Sequence, residues 1–148
     1  MNLSVKLGVL VIGFSIFSYS EVWGADWKLF ASNSEMGDFY YDVQHITRPS
    51  KDIVRVWVRL KYTDKGVSRT VKELGKAVEN LSYAIGLEEM NCSGKRTRTL
   101  FVSHYSKEKT VLHTSSRYGE WTNIVPDSNW EDLYKAVCKE DGKGGKAE

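Results

Sequence analysis

The sequence predicts an α+β fold, in which an antiparallel sheet of about six strands carries a C-terminal helix that a disulfide tethers to it. Several segments alternate apolar and polar residues with the period of two that is typical of half-buried strands. One segment near the C-terminus instead repeats apolar residues every three or four positions, as a helix does. The two cysteines, Cys92 and Cys138, both lie in the part of the chain that we expect to be exported.

Residues 1–24 have the organisation of a secretory signal peptide. Lys6 precedes the apolar run LGVLVIGFSIFSYS, and Val22 and Gly24 stand where signal peptidase requires small residues. A transmembrane anchor is the alternative, but spanning a bilayer takes about 20 apolar residues, more than this run offers. We therefore expect export to the periplasm, the outer surface or the medium. The mature chain would start at Ala25 and have no transmembrane segment.

The expected mature chain consists of one domain and a short tail. Residues 25–139 suffice for a single hydrophobic core. Residues 140–148, EDGKGGKAE, contain no large apolar side chain and are predicted to be a mobile tail. The formal net charge of +2 is unchanged by removal of the leader, because Lys6 and Glu21 cancel. So weak an overall field does not favour nucleic acid or an anionic membrane as a partner, and any basic recognition must be local.

Strand chemistry occurs in six segments. In chain order they are 27–31, 39–47, 53–63, 82–92, 97–106 and 110–116. The third is the clearest, because Val54, Val56 and Val58 alternate with Arg55 and Trp57.

Two hairpins follow from the turn residues between these segments. Residues 48–52, which include Pro49, separate the second and third segments. Residues 107–109 separate the fifth and sixth segments in the same way.

Two helices are predicted. The C-terminal one, over 128–139, begins with a capping box in which Ser128 and Glu131 each satisfy the other's backbone amide. Its apolar stripe consists of Trp130, Leu133, Tyr134, Val137 and Cys138. The other helix, from about 71 to 80, rests on a second capping box of Thr70 and Glu73.

The cysteine count predicts one disulfide, between Cys92 and Cys138. An even number of cysteines in an exported chain indicates pairing, and two cysteines allow one pairing only. In the chain-entropy model this cross-link stabilises the fold by about 4 kcal/mol. The alternative, a zinc site, would need two more ligands at a spacing that the sequence does not provide.

A series of landmark residues runs through nearly the whole mature chain. In order they are Trp27, Tyr40-Tyr41-Asp42, Val56-Trp57, Asn91-Cys92, His104-Tyr105, Trp121, Ile124-Val125-Pro126-Asp127-Ser128 and Cys138. This order resembles the surface-adhesin protein E family of Gram-negative bacteria. The resemblance implies an antiparallel sheet with a C-terminal helix tethered by a disulfide. It also implies attachment to host matrix and serum proteins at the outer surface.

The three histidines are candidates for a metal site. His45, His104 and His113 fall on three predicted strands and could together hold zinc with an open position for water. Strand parity argues against this site, since His45 and His104 share their faces with apolar neighbours. The chain has no HExxH, GxSxG or CxxCH motif, and both cysteines are committed to the disulfide. The sequence therefore predicts no enzyme, no metal and no cofactor.

The best binding candidate is a basic cluster after Cys92. Lys95, Arg96 and Arg98 lie within four residues, and Lys107 and Lys109 occupy the next turn. Such cations suit sulfated polysaccharide, lipopolysaccharide phosphates or acidic protein patches. The alternative is a solvated turn that protects a sheet edge from aggregation.

Aromatic residues near the cluster could add contact area. Tyr105, Tyr118 and Trp121 are the candidates, although aromatic residues beside a helix more often belong to the core.

We expect a non-enzymatic secreted or cell-surface binding module for matrix proteins or polyanions. The alternative is a periplasmic accessory or structural protein of the cell envelope. An enzymatic role would require a convergent acid, base and nucleophile, which the sequence does not indicate.

Overall fold

The structure is a computed structural model that describes residues 24–116 and 118–139. The predicted signal peptide, apart from Gly24, and the predicted tail over 140–148 lie outside the described residues. The strands are β1 Trp27–Asn33, β2 Gly37–Asp42, β3 Thr47–Ser50, β4 Ile53–Tyr62, β5 Leu81–Asn91, β6 Arg96–Ser106, β7 Val111–Ser115 and β8 Thr122–Asn123. The helices are α1 Asp64–Leu74, followed by a 3₁₀ turn Lys76–Val78, and α2 Asn129–Tyr134, followed by a π-helical turn Lys135–Lys139.

All eight strands belong to one sheet. Six of them follow the order β1-β2-β4-β5-β6-β7, while β3 pairs with β4 and β8 pairs with β6. Every pairing is antiparallel. The predicted antiparallel sheet and the predicted hairpin of β6 and β7 are therefore confirmed. The other predicted hairpin is altered, because the extra strand β3 lies between β2 and β4 along the chain. The two-residue strand β8 is an addition that the sequence did not indicate.

The long strand β4 shows why the two faces of the sheet differ. Its alternate valines are buried and contribute to a core that consists of Tyr41, Val54, Val56, Val58, Met90, Leu133, Tyr134 and Val137. We call this side the helix face. Arg55, Trp57 and Arg59 lie on the opposite side, because successive side chains of a strand alternate, and they remain partly exposed. We call that side the open face.

The predicted C-terminal helix packs on the helix face. Every residue of the predicted apolar stripe belongs to the core or packs against it. Ser128 Oγ accepts a hydrogen bond from the Glu131 backbone N–H at 3.3 Å, as a cap should. The Glu131 carboxylate accepts from the Asp127 N–H at 3.0 Å instead of from Ser128, so the second half of the predicted capping box is wrong.

The predicted disulfide between Cys92 and Cys138 is confirmed. It joins the residue after β5 to the π-helical turn that follows α2. The Tyr134 hydroxyl donates to the Cys92 carbonyl at 3.0 Å, and Arg48 Nη2 donates to the Val137 carbonyl at 2.9 Å. The C-terminal segment is thus fastened covalently beside β5 and by a hydrogen bond to β3.

The predicted boundaries of the first helix are wrong. Helix α1 begins at Asp64, where the Thr63 hydroxyl accepts from the Gly66 N–H at 3.2 Å. Thr70, the predicted cap, lies inside the helix and donates to the Gly66 carbonyl. The helix ends before Gly75, whose positive φ of 86° breaks the helical path.

The predicted strand over 39–47 is divided in two. Strand β2 ends at Asp42, because its carboxylate accepts from the Gln44 N–H at 3.0 Å and forms a local turn. Strand β3 then covers Thr47–Ser50, part of the predicted turn, and its pairing with β4 leaves Lys51 and Asp52 as the actual turn. Pro49 is tolerated because β3 is a short strand beside the main path of the sheet.

Candidate functional site

The open face carries pairs of aromatic side chains that lie across neighbouring strands. Trp57 and Phe101 meet edge to face, with ring centroids 6.1 Å apart. Tyr83 and Tyr105 stack with their rings nearly parallel and their centroids 4.9 Å apart. Each such pair stabilises the fold by about 0.5 to 1.5 kcal/mol beyond the burial of its surface area. These contacts restrain the side chains of the open face.

Arg59 is held between two aromatic rings. Its guanidinium carbon lies 4.9 Å from the Trp27 ring centroid and 5.0 Å from that of Tyr40. A cation over an aromatic face is attracted by the ring quadrupole. The Arg59 side chain is therefore kept in place on the open face before any partner binds.

A buried carboxylate organises two further arginines. Glu89 is 2% exposed. Its two oxygens accept from Arg55 Nε at 2.8 Å and from Arg98 Nε at 2.7 Å. Burial would raise the pKa of the Glu89 carboxyl, but the hydrogen bonds from Arg55 and Arg98 hold it below its ordinary value. Since one carboxylate faces two guanidinium groups, the triad keeps one excess positive charge.

Arg98 also lies over two aromatic rings. Its guanidinium carbon is 4.4 Å from the Trp121 ring centroid and 5.9 Å from that of Tyr118. Tyr118 is 74% exposed, and Tyr105 is stacked on the open face, so these predicted aromatic candidates are accessible rather than part of the core.

The structure divides the predicted basic cluster. Lys95 extends toward Tyr134 of α2, with its Nζ 6.0 Å from the ring centroid, whereas Arg96 and Arg98 both lie near Trp121. The remaining two predicted cations, at 107 and 109, occupy the turn at the other end of β6. At about 3.3 Å per residue, roughly 30 Å separates position 98 from position 107.

Lys107 and Lys109 instead join cations from another strand. A shallow pocket of about 410 Å³ is lined by Arg59, Lys61, Ser82, Tyr83, Ile85, Lys107 and Lys109. We call it the basic pocket. No carboxylate is among its described lining residues. The neighbouring acids are Asp38, which pairs in register with Lys61, and the exposed Glu108 in the turn.

Sequence reasoning missed Arg59 and Lys61 because they lie far from the basic turns along the chain. They meet Lys107 and Lys109 through the pairing of β4 with β5 and of β5 with β6. Their signal was present in the alternation of β4, whose non-valine face repeats Arg or Lys at positions 55, 59 and 61.

The three histidines do not converge. His104 and His113 face each other across β6 and β7, with ring centroids 5.7 Å apart. His45 lies elsewhere, with its Nδ1 2.6 Å from the Asp42 carboxylate. Within residues 24–116 and 118–139, no cluster of three or more His, Cys, Asp or Glu side chains has an arrangement suited to a metal ion.

None of the helices that the structure describes is long and apolar enough to cross a membrane.

Comparison with known proteins gives one family and one fold. A profile of surface-adhesin protein E matches residues 27–139. Protein E of Haemophilus influenzae, in its crystal form II, has a TM-score of 0.52 at 13% identity, covering 77% of this chain and 94% of that chain. A second structure of H. influenzae protein E has a TM-score of 0.52 at 11% identity, covering 80% and 88%. No curated protein sequence matches this chain significantly.

The structural similarities, at these low identities, confirm the fold. The family profile covers nearly all of the described residues, from β1 to the π-helical turn. The chain therefore belongs to the surface-adhesin protein E family.

Proposed function

We propose that this protein is an exported, non-enzymatic binding module that attaches to anionic groups of extracellular or envelope partners through the basic pocket. The observation that carries the proposal is the convergence of Arg59, Lys61, Lys107 and Lys109 around Tyr83. The formal net charge of the whole chain is only +2, so the positive potential at this pocket comes from the local grouping of these four cations.

The chemistry of the basic pocket suits sulfate and phosphate esters. Guanidinium and ammonium groups form charge-assisted hydrogen bonds with such oxyanions. Arg59 is already fixed between Trp27 and Tyr40, so binding costs little additional ordering of its side chain. The shallow shape favours a polyanionic chain that passes over the surface, such as a sulfated polysaccharide, over an enclosed small molecule.

The predicted cluster of Lys95, Arg96 and Arg98 stays part of the proposal as a second contact. Arg98 shares its charge with Glu89, and Lys95 extends toward α2, which leaves Arg96 beside Trp121 as its main cation on the open face. A long polyanion that occupies the basic pocket could reach this end of β6 as well.

Retention on immobilised heparin tests the proposal. Three variants each remove two positive charges: Lys107→Gln with Lys109→Gln in the pocket, Lys95→Gln with Arg96→Gln in the predicted cluster, and Lys72→Gln with Lys76→Gln as the matched control. We expect the pocket variant to elute at clearly lower salt than the control. With fewer cations in contact with heparin, its binding releases fewer counterions and is therefore weaker. Equal shifts in all three would show that net charge alone governs retention. If the cluster variant showed the larger decrease in elution salt, the main binding site would be the cluster around Arg96, and the basic pocket would be rejected.

Location separates the adhesin from its alternative, a periplasmic accessory protein. Antibody labelling or protease treatment of intact producing cells should reach a surface adhesin. Protection until the outer membrane is permeabilised would favour the periplasmic role.

A further inference from the structure

The helix face contains a small apolar cleft, on the opposite side of the sheet from the basic pocket. Its volume is about 130 Å³, and its lining includes Phe39, Val58, Ala84, Gly86, Glu88 and Trp130. An apolar cavity of this size accommodates a benzene-sized group. The cleft and the basic pocket share no lining residue, so the cleft is a separate site from that of the proposed function.

Glu88 is the unusual member of this lining. It is 5% exposed, and its two oxygens lie 2.9 and 3.0 Å from the Thr99 hydroxyl. The next residue, Glu89, is equally buried but lies between two arginines on the open face. Among the ion pairs of the described residues, none includes Glu88. A buried carboxylate without a counter-charge is costly and needs a physical explanation.

The carboxyl group of Glu88 lies beside Gly86, a position in strand β5 that has no side chain. A Cβ atom at Gly86 would lie 3.4 Å from Glu88 Oε1 and 3.1 Å from the Phe101 carbonyl oxygen. Glycine inside a strand often marks a place where a ligand approaches the backbone closely. Here it keeps open the space next to the one acidic group of the cleft.

The other titratable group in the lining is Tyr62. Burial raises the pKa of Tyr62, so this side chain is neutral at physiological pH. The pKa of Glu88 is raised to about 7, because the effect of burial outweighs the lowering by the hydrogen bond from Thr99. The charge that the cleft can present near neutral pH is therefore a single negative one.

We propose that this cleft binds a small organic cation, an aryl- or alkylammonium ion, with its apolar part beside Phe39, Val58 and Trp130 and its ammonium group on Glu88. The cation supplies the counter-charge that the arginines supply to Glu89. The indole of Trp130 offers an additional aromatic surface for the ligand. An anionic ligand would meet repulsion at Glu88, and a neutral ligand would leave the carboxylate unpaired.

The test compares 2-phenylethylamine with its neutral counterpart 2-phenylethanol at pH 8, followed by the NMR shifts of the Gly86 amide and the Trp130 indole N–H. We expect saturable shifts at both positions and at least tenfold tighter binding of the ammonium ion. Glu88→Gln should reduce the affinity for the amine to that for the alcohol. Glu108→Gln, which removes an exposed acid elsewhere, should leave it unchanged.

Equal affinity for the two compounds would overturn the proposal, and so would the absence of saturable shifts at Gly86 and Trp130. Unchanged amine binding in Glu88→Gln would overturn it as well. The comparison of the two compounds uses the unmodified protein, so it decides the matter even if the variant folds poorly.

Discussion

Replacing Glu88 with Gln should change how the stability of the protein depends on pH. Burial raises the pKa of the Glu88 carboxyl from its ordinary value of 4.5 to about 7 in the folded state. The folded protein therefore holds this proton more tightly than the unfolded chain does. Its stability falls as the pH rises from about 4.5 to about 7, and the loss is complete above that range. At about 1.36 kcal/mol per pKa unit, the loss is about 3 kcal/mol.

Urea unfolding of both proteins between pH 4 and pH 8 measures this effect. The quantity to follow is the difference between their free energies of unfolding, since other carboxyls with lowered pKa values, such as Asp42 and Glu89, titrate in both proteins and cancel. Gln keeps a hydrogen-bond acceptor for Thr99 but does not ionise. We expect the difference to shift by about 3 kcal/mol in favour of the variant as the pH rises. Parallel stability profiles would show that the Glu88 carboxyl is solvated, and would refute the reasoning.

The remaining predictions concern export, the disulfide and the core. Intact mass should show secreted protein that begins at Ala25 and has no alkylatable thiol before reduction; a retained leader or two reactive cysteines would contradict this. Reduction of the Cys92–Cys138 disulfide should lower hydrogen-exchange protection in Lys135–Lys139 more than in β4, because the tether lies in that turn; equal losses would mean that the disulfide supports the whole sheet. Leu133→Ala, at a fully buried position, should cost about 2 to 5 kcal/mol by urea unfolding, and clearly more than Leu74→Ala at a position 38% exposed; similar costs would contradict the packing of α2.

The sequence predicted those parts of the fold that depend on local pattern. The valine alternation of β4, the polar turns of the hairpins and the cap at Ser128 all act within a few residues. The start of α1 was missed because Thr70 and Glu73 matched a capping box, whereas the actual cap is Thr63. The structure shows that a Cβ at Gly66 would collide with the Met36 carbonyl, so tertiary packing requires glycine inside the helix.

The candidate sites were harder to predict, since they depend on strand pairing. Lys107 and Lys109 were identified, but their partners on β4 become neighbours only when β5 is placed between β4 and β6. Glu88 and Glu89 look alike in the sequence as a pair of solvated acids. The predicted strand over 82–92 already places them on opposite faces. Their unlike partners, Thr99 for one and two arginines for the other, appear only in the folded sheet.

The position of the disulfide also governs how the domain would carry mechanical load. Tension applied between Trp27 and Lys139 would pass along the chain to Cys92, cross the sulfur bridge and leave through Cys138. The intervening segment, which contains β6, β7 and two of the pocket lysines, Lys107 and Lys109, would bear none of this tension through its backbone. The bridge spans a sequence separation of 46 residues. At roughly 3.5 Å per residue, it prevents this segment from adding about 160 Å to the length of the stretched chain. Such a force would thus stretch the first five strands, while the turn between β6 and β7, part of the proposed binding site, stayed within a covalently closed loop.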